Sequence, residues 1–362
     1  MEKTVKHTPP LNQIPVMDLD DWKEGDDELL VASLAEFGLA HISGHGIPRT
    51  LMEQFYRGFE DVLGRPDEEK AKLGGASVWY QRGWTPPDTE KAVVAGGQPD
   101  FKECYFVAPI PLDQGCQIEY PQIYARNIWP ENAEAFKENY LRLGLRLHEV
   151  GLSLLSSIAS GLGLPRDLIT NRVEGGAHVT RALKYLALSS DQIERGVLWG
   201  EEHTDFNVLT ILPGGQFFDS AGSNIANPDP DSGLYLRTRS GRKVRGSAPK
   251  GSIVIQVGQQ LEILTGGRLL ATPHVVTAPR VPNITRYSCA HFVHLHAHQV
   301  VRPLPLFESA ESIRSYAPPV LAGTYARKTL VDIGLAPKSA MESLGYRHYD
   351  RLVAQRSSDE PT

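Results

Sequence analysis

Cysteine, the residue that forms disulfide bonds and thiolate metal sites, is scarce in this sequence. Cysteine occurs only three times in 362 residues, at Cys104, Cys116 and Cys289. Three scattered thiols suit neither a disulfide framework nor the paired spacing of a thiolate zinc site. We therefore expect nitrogen and oxygen ligands for any metal that the protein holds.

Long apolar runs and basic runs are also missing. No stretch approaches the ~18 consecutive apolar residues of a membrane span, and the polar start MEKTVKHTPP has no signal-peptide core. The net charge is −6, and no basic segment is interleaved with aromatic residues, which argues against nucleic-acid binding. These absences predict a cytoplasmic protein that binds neither nucleic acid nor membrane, and they leave its oligomeric state open.

A glycine-rich phosphate loop is absent too, because neither GxGxxG nor GxxxxGK occurs. Short strands and helices alternate up to residue 175, and the longest helical pattern runs from Pro130 to Leu162. From about residue 176, short β-type runs such as NVLTIL and GSIVIQV are separated by Gly, Pro, Asn and Asp, which favours a sandwich or barrel. We expect one domain over 1–362, with a helix-rich part (1–175), a β core (176–307) and C-terminal helices with a tail (308–362).

The stretch His203-Thr204-Asp205 stands directly ahead of an apolar run. On a strand, His203 and Asp205 point to the same face. A second imidazole, His274, opens the later run HVVTAP. Two imidazoles and one carboxylate on one face of a metal, with the opposite face open, are the ligand set of non-haem Fe(II) oxygenases.

A second pair of polar residues follows in the sequence Arg286-Tyr287-Ser288. On a strand, Arg286 and Ser288 share a face, so a guanidinium and a hydroxyl can hold one carboxylate. A dicarboxylic keto acid with one end on the metal would place its far carboxylate there.

These motifs carry a family resemblance that covers the chain from about Ile14 to Phe307. The sequence resembles the isopenicillin N synthase-like branch of the Fe(II)/2-oxoglutarate-dependent oxygenases, which includes plant-type dioxygenases and ethylene-forming enzyme. The matching segments are HTDFNVLTIL (203–212), VIQVGQQLEILTGGRLLATPHVV (254–276) and RYS (286–288), supported by EFGLAHISGHGIP (36–48), RGWTPPDTE (82–90) and PDFKE (99–103).

The resemblance implies a mainly β fold with helical additions, in which a double-stranded β-helix (jelly roll) core carries the long helix on its outer face. It implies Fe(II), 2-oxoglutarate as cosubstrate and dioxygen, with oxidation of a small molecule and decarboxylation of 2-oxoglutarate to succinate and CO2. Hydroxylation, desaturation, cyclisation and fragmentation all stay open as outcomes.

The resemblance also implies roles for individual residues. His203, Asp205 and His274 match the iron ligands, Arg286 and Ser288 match the pair that holds the distal carboxylate, and Tyr185 falls near the tyrosine beside the cosubstrate. Substrate contacts are expected from Arg181, Phe101 and Glu103. One departure is Gln259, which follows Gly258 where the family usually has aspartate.

Two segments raise separate hypotheses. The histidines at 294, 296 and 298 alternate and could share a strand face, yet three residues along one strand are too far apart to bind one ion without bending; we expect a solvated strand end near the barrel mouth. The insertion at 213–232 has no clear secondary-structure pattern, and loops of this length are usually functional or disordered. We expect it to lie over or beside the mouth and to shape substrate choice.

Two other functions fit the same motifs. An oxidase like isopenicillin N synthase would need no 2-oxoglutarate and would use Arg286 and Ser288 for its substrate's own carboxylate. A non-catalytic jelly-roll metal-binding protein would keep the ligands without turnover, although the open coordination face has no purpose in such a protein.

Overall fold

The computed structural model describes residues 11–89 and 101–341, which form ten helices and sixteen strands. The helices are α1 (Asp26–Glu36), α2 (Arg49–Leu63), α3 (Asp67–Lys70), α4 (Gln114–Glu119), α5 (Glu134–Gly161), α6 (Thr170–Val173), α7 (Ser190–Glu194), α8 (Gln259–Leu264), α9 (Ala310–Ser315) and α10 (Ala322–Asp332). The strands are β1 (Val16–Asp18), β2 (Leu39–Ser43), β3 (Gly83–Thr85), β4 (Lys102–Val107), β5 (Val179–Tyr185), β6 (Gly200–His203), β7 (Leu209–Leu212), β8 (Gly215–Phe218), β9 (Asn224–Ile225), β10 (Gly233–Arg237), β11 (Lys243–Arg245), β12 (Ile253–Val257), β13 (His274–Thr277), β14 (Thr285–Val293), β15 (Val300–Val301) and β16 (Val320–Leu321).

Two sheets contain most of these strands. The major sheet has the order β1-β2-β12-β7-β14-β5-β4-β3, with β8 paired to β14 and β9 to β8. The minor sheet has the order β11-β10-β13-β6, and β15 pairs with β16 separately. Between β5 and β14 the chain passes repeatedly from one sheet to the other, as expected of a jelly roll. Apolar side chains of both sheets pack together, for example Leu236 of β10 with Leu39 of β2 and Val254 of β12.

The N-terminal part contributes strands to the major sheet as well as helices. β2 pairs with β12, and β4 pairs with β5, so segments before residue 175 complete the sheet that the later segments begin. This interleaving is what a single domain requires, and the three-part division of the chain stays a prediction.

The long helix α5 lies on the outer face of the major sheet. Its leucines recur at helical spacing, and Leu143, Leu147 and Leu154 are fully buried. Two glycines let its backbone approach the sheet: a Cβ on Gly144 would stand 2.4 Å from Pro109 Cβ, and a Cβ on Gly151 would stand 3.0 Å from Ile211 Cδ1. The helix predicted from Pro130 to Leu162 corresponds to α5, which begins at Glu134 and ends at Gly161.

Three expectations about secondary structure differ from the structure. β14 ends at Val293, so the histidines at 294, 296 and 298 do not lie on a strand. The insertion 213–232 contains β8 and β9, and β8 pairs with β14, so it is not a loop without secondary structure. The predicted C-terminal helical region is α9 and α10, and its remainder, 342–362, lies outside the described residues. Within the described ranges, no helix is long and apolar enough to cross a membrane.

The close contact of α5 with the sheet predicts the effect of Gly144→Ala. The added methyl group would meet Pro109 Cβ at 2.4 Å and Thr180 Oγ1 at 2.7 Å, so the helix must shift. We expect a loss of about 1–3 kcal/mol in the free energy of unfolding, despite the better helix propensity of alanine. Urea denaturation measures it, with Ser153→Ala on the exposed side of α5 as the control. Equal stability of Gly144→Ala and wild type would mean that α5 does not pack this tightly.

Candidate active site

Three side chains converge where β6 and β13 lie side by side. His274, the first residue of β13, pairs directly with His203, the last residue of β6. Asp205 lies two residues beyond β6, in the turn toward β7. One ligand atom from each of the three residues lies within 4.8 Å of the others. Asp205 Oδ1 is 3.7 Å from His203 Nε2 and 4.0 Å from His274 Nε2, so both Nε2 atoms face the same carboxylate.

Hydrogen bonds fix how His203 and Asp205 present their ligand atoms. His203 Nδ1 lies 2.7 Å from the carbonyl oxygen of Glu201 and donates its proton there, which leaves the Nε2 lone pair toward Asp205. The Thr210 hydroxyl donates to Asp205 Oδ2 at 2.6 Å and leaves Oδ1 for the two imidazoles. Such outer contacts set the tautomer and orientation of metal-binding side chains.

The third ring is oriented by Gln256 of β12. His274 Nδ1 is 3.2 Å from the carbonyl oxygen of Thr272 and 2.6 Å from the Gln256 amide nitrogen. The Gln256 side-chain oxygen is buried and lacks a hydrogen-bond partner. Because Nδ1 donates its proton to the Thr272 carbonyl, it can donate to Gln256 but not accept from it, so the amide oxygen is assigned to the side that faces Nδ1. His274 Nε2 is then deprotonated, like that of His203.

Burial sets the charge of the three groups. Burial, together with a smaller effect of the neighbouring His203, lowers the pKa of His274 to about 4, so the imidazole is neutral near pH 7. Burial alone would raise the pKa of the Asp205 carboxyl, but the two imidazoles and the Thr210 hydroxyl outweigh it and hold that pKa below its usual range. One carboxylate and two neutral imidazoles are a suitable donor set for a divalent cation.

A cavity of about 610 Å³ opens directly onto this group. His203 and Asp205 lie in its wall, beside polar and charged residues of β4, β5 and α10. Its other lining residues include Lys102, Phe106, Arg181, Phe206, Gln259, Phe292, His294, Tyr325, Lys328 and Asp332. The volume is that of a small-molecule site.

Strand parity decides which neighbours of the cavity face it. Phe106 pairs with Arg181 across β4 and β5, and Ala290 pairs with Arg181 across β14 and β5. The Arg181 guanidinium lies over the rings of Phe106 and Phe292, at 5.6 and 5.1 Å from their centroids. Arg181 therefore lines the cavity, as the sequence predicted.

The other two predicted substrate contacts, Phe101 and Glu103, do not line the cavity, whereas Lys102 between them does. Phe101 precedes β4 and packs against the interior cluster that contains Phe106 and Tyr185. Glu103 lies on the other face of β4 from Lys102 and Phe106. The Glu103 carboxylate accepts from Lys70 Nζ at 3.3 Å and from the Trp84 indole at 3.1 Å. Lys102 was missed because every residue of β4 is buried, so no alternation of polarity indicates which face is interior.

Arg286 and Ser288 lie four and two residues before Ala290 on β14 and therefore share its interior face. Arg286 pairs with Tyr185 of β5 and Phe217 of β8, and its guanidinium is 5.3 Å and 5.8 Å from the centroids of those rings. Neither Arg286 nor Ser288 is among the residues that line the cavity beside His203. Tyr185, placed beside the cosubstrate by sequence, thus lies against Arg286.

The insertion borders Arg286 of β14. Gly215 of β8 pairs with Ser288, and a Cβ on Gly215 would stand 3.0 Å from both Nε and Nη2 of Arg286. No residue of 213–232 lines the cavity. The segment therefore forms a wall for the guanidinium and no part of the cavity wall, while its expected place over or beside the mouth and its influence on substrate choice stay predictions.

Gln259 connects the ligand turn to α10. Its side-chain nitrogen donates to Thr204 Oγ1 at 2.6 Å, its backbone N–H donates to the Asp205 carbonyl at 2.7 Å, and its side-chain oxygen accepts from the Tyr325 hydroxyl. An aspartate at this position could accept from these hydroxyls but could not donate. The glutamine therefore supplies a link from the His203–Asp205 turn to a helix of the cavity wall.

Comparison with known proteins agrees with this geometry. Residues 14–132 match the family model for the N-terminal region of the non-haem dioxygenase in morphine synthesis, and residues 182–295 match the model of the 2OG-Fe(II) oxygenase superfamily. The chain belongs to the 2OG-Fe(II) oxygenases. It uses Fe(II), 2-oxoglutarate and dioxygen to oxidise a small molecule, as this family does, and the predicted jelly-roll fold is confirmed.

Individual relatives cover most of the chain. The proline hydroxylase buaE of Petromyces alliaceus is 28% identical, over 83% of this chain and 91% of its own. The homoarginine-6-hydroxylase 2-ODD-233 of Oryza sativa subsp. japonica is 26% identical, over 76% of this chain and 80% of its own. The crystal structure of Neurospora crassa T7H in complex with alpha-KG has 22% identity and a TM-score of 0.71, over 88% of this chain and 96% of that one, and it shares the fold.

Proposed function

We propose that His203, Asp205 and His274 hold the Fe(II) ion of this oxygenase. The observation that supports this most directly is the convergence of one carboxylate and two imidazole nitrogens within 4.8 Å, at the wall of the cavity. The donor set fits ferrous iron. With the Nδ1 proton of His274 directed at the Thr272 carbonyl and the Gln256 amide, the lone pair of its Nε2 faces the metal position. When bound, Fe(II) with 2-oxoglutarate supplies dioxygen-dependent oxidising power, and the keto acid leaves as succinate and CO2.

Arg286 is proposed to bind the distal carboxylate of 2-oxoglutarate, with Ser288 as a second donor. Both residues share the interior face of β14, and Gly215 leaves room beside the guanidinium that a side chain would fill. The Tyr185 and Phe217 rings flank the guanidinium and shield it from water, which strengthens a charge-assisted bond. Tyr185 in this arrangement positions Arg286.

The substrate is proposed to be a small organic acid. Lys102 and Arg181 bring two positive charges to the cavity from neighbouring strands, beside the rings of Phe106 and Phe292. Lys328 and Asp332 also line the cavity and form an ion pair with each other at 2.6 Å. An anionic group toward Arg181 and an apolar part against the rings would match these walls. The names of the relatives that act on proline and homoarginine, both carboxylic acids, support hydroxylation of such a substrate.

Other parts of the interpretation stay predictions. A cytoplasmic location and independence of nucleic acid and membranes rest on the charge and the lack of apolar runs in the sequence.

The ligand assignment predicts the effect of removing each ligand and one supporting bond. His203→Ala, Asp205→Ala and His274→Ala should each abolish succinate formation, because two protein ligands hold iron poorly. Thr210→Val, which removes the hydroxyl on Asp205 Oδ2, should weaken Fe(II) binding about 10- to 100-fold. An aerobic succinate assay measures the first effect, and anaerobic Fe(II) titration measures the second. Thr210→Ser keeps the donor and serves as the matched control; wild-type turnover by Asp205→Ala would refute the assignment.

The role of Arg286 predicts a change in the apparent constant for 2-oxoglutarate. Arg286→Leu should raise it roughly 30-fold or more, since losing one partner of a buried charge pair costs about 2–5 kcal/mol. Arg286→Lys should give an intermediate value, because lysine cannot make two parallel bonds. The assay follows succinate against 2-oxoglutarate concentration, with the exposed Arg195→Leu as control.

Two results of this titration would contradict the assignment. Oxygen and substrate consumption by wild type without 2-oxoglutarate would favour the oxidase alternative, in which Arg286 holds the substrate's carboxylate. A 2-oxoglutarate requirement with equal constants in wild type and Arg286→Leu would place the cosubstrate elsewhere.

The proposed substrate class predicts a preference between matched compounds. Small carboxylic acids should stimulate succinate release by wild type, while the corresponding neutral amides should bind at least ~10-fold more weakly, because they lose the charge facing Arg181. Arg181→Leu should remove this preference and leave the constant for 2-oxoglutarate unchanged. Amides that stimulate wild type as well as the acids do would exclude an anionic substrate.

A further inference from the structure

A second cluster of potential metal ligands lies away from the proposed iron site. Cys116 of α4 faces His296 and His298, which follow β14, and one ligand atom from each residue lies within 4.8 Å of the others. The thiol is fully buried, the His296 side chain is 21% exposed and that of His298 is 49% exposed. The sulfur atom is therefore covered by protein, while the two imidazole rings lie between it and solvent.

The distances within this cluster suit a small tetrahedral ion. Metal–sulfur and metal–nitrogen bonds of about 2.3 and 2.0–2.1 Å at the tetrahedral angle place sulfur roughly 3.5 Å from nitrogen. Cys116 Sγ lies 3.6 Å from His296 Nε2. Asp113 Oδ2 lies 3.9 Å from the same nitrogen and is a carboxylate at the edge of the three-residue cluster.

Contacts from several elements hold these side chains in place. Asp113 Oδ1 accepts from the Cys116 backbone N–H at 2.7 Å and so caps α4 beside the cluster. The Glu119 carboxylate lies 2.7 Å from His298 Nε2 and holds that ring. His296 donates its backbone N–H to the Arg172 carbonyl at 2.9 Å. The ligand-bearing segments are thereby held in position.

A tyrosine supports the sulfur in the way that outer residues support metal ligands. The Tyr124 hydroxyl accepts from the Ala297 backbone N–H at 3.1 Å and is hydrogen-bonded to the Cys116 side chain, which favours the thiolate. Burial nevertheless raises the pKa of the Cys116 thiol to about 11. The free thiol therefore keeps its proton near pH 7, and a metal that binds the sulfur must release that proton to solvent.

We propose that Cys116, His296 and His298 form a second metal site that binds Zn²⁺, with Asp113 as the neighbouring carboxylate. A thiolate with two imidazoles is a zinc donor set, whereas the proposed iron ligands contain no sulfur. Such a site would be an exception to the expectation from sequence that any metal in this protein is held by nitrogen and oxygen alone, since α4 brings one of the three scattered cysteines to the two histidines.

The metal would stabilise one wall of the active-site cavity. Gly323 and Ala322 at the start of α10 donate their backbone N–H groups to the carbonyls of Ala297 and Gln299, within the segment that carries His296 and His298. α10 supplies Tyr325, Lys328 and Thr329 to the cavity. Binding of Zn²⁺ would therefore join α4 to the segment on which α10 rests.

Cobalt separates this site from the iron site, because only a sulfur ligand gives thiolate-to-Co(II) charge-transfer absorption in the near ultraviolet. Reduced, metal-free full-length protein titrated anaerobically with Co²⁺ should show this band, and Zn²⁺ should displace it. Asp205→Ala should keep the band while losing metal at the iron site. Cys116→Ser should lose the band while retaining one bound Co²⁺.

A half-exposed ligand provides a variant that keeps the fold. His298→Gln should weaken the band-forming Co²⁺ association by ~10-fold or more, with circular dichroism unchanged and the constant for Co²⁺ at the iron site unaltered. Lack of the band in wild type would overturn the proposal, as would a band that persists in Cys116→Ser or one whose affinity is unchanged by His298→Gln. Because the readout is spectroscopic, its failure leaves the proposed oxygenase function unaffected.

Discussion

The pairing of β13 with β6 is the contact on which the active site depends. It sets His274 directly opposite His203 and ends at the turn that carries Asp205. The strand pairing alone does not orient the side chains: Gln256 of the major sheet orients His274, and Thr210 of β7 orients Asp205. The three proposed ligands therefore lie on the minor sheet and its following turn, while two of the groups that aim them lie on the major sheet. The jelly roll must be closed before the donor set exists.

The two faces of β14 carry side chains with different roles. Arg286 and Ser288 point to the interior, while Tyr287, Cys289 and His291 between and beyond them pack outward against the helices. The Nδ1 atom of His291 is hydrogen-bonded to the Thr180 hydroxyl at 2.9 Å, and its Nε2 atom is hydrogen-bonded to Nδ1 of His148 in α5 at 3.2 Å. Burial lowers the pKa of His291 and, to about 4, that of His148, so both rings are neutral near pH 7. Neutral imidazoles can hydrogen-bond in the core without the cost of a buried charge.

Sequence reasoning reached the groups that follow strand periodicity and missed those that depend on distant pairing. His203 and Asp205 stand in one short motif, although β6 ends at His203 and Asp205 lies in the following turn rather than on the same strand. Arg286 and Ser288 share one face of β14, as their spacing predicts. The same reasoning did not identify the cavity-facing residues of β4, because both faces of this strand are buried. Its outward face holds Glu103, which forms an ion pair with Lys70 of α3. The strand β8 was missed because its partner β14 lies about seventy residues later and its own residues, GQFF, show no alternation. The approach of Cys116 to His296 had no signal at all in local sequence.

The segment after β14 connects the two proposed metal sites through alternate side chains. His294 lines the cavity and lies 5.2 Å, ring to ring, from Phe206, which follows Asp205. His296, two residues on, faces Cys116 on the other side. A shift of this segment that opened the thiol cluster would therefore also move His294 and the start of α10, to which it is hydrogen-bonded. Because close-packed interiors transmit strain, we expect a change in the geometry of the Cys116 cluster to alter the cavity wall that His294 and α10 form.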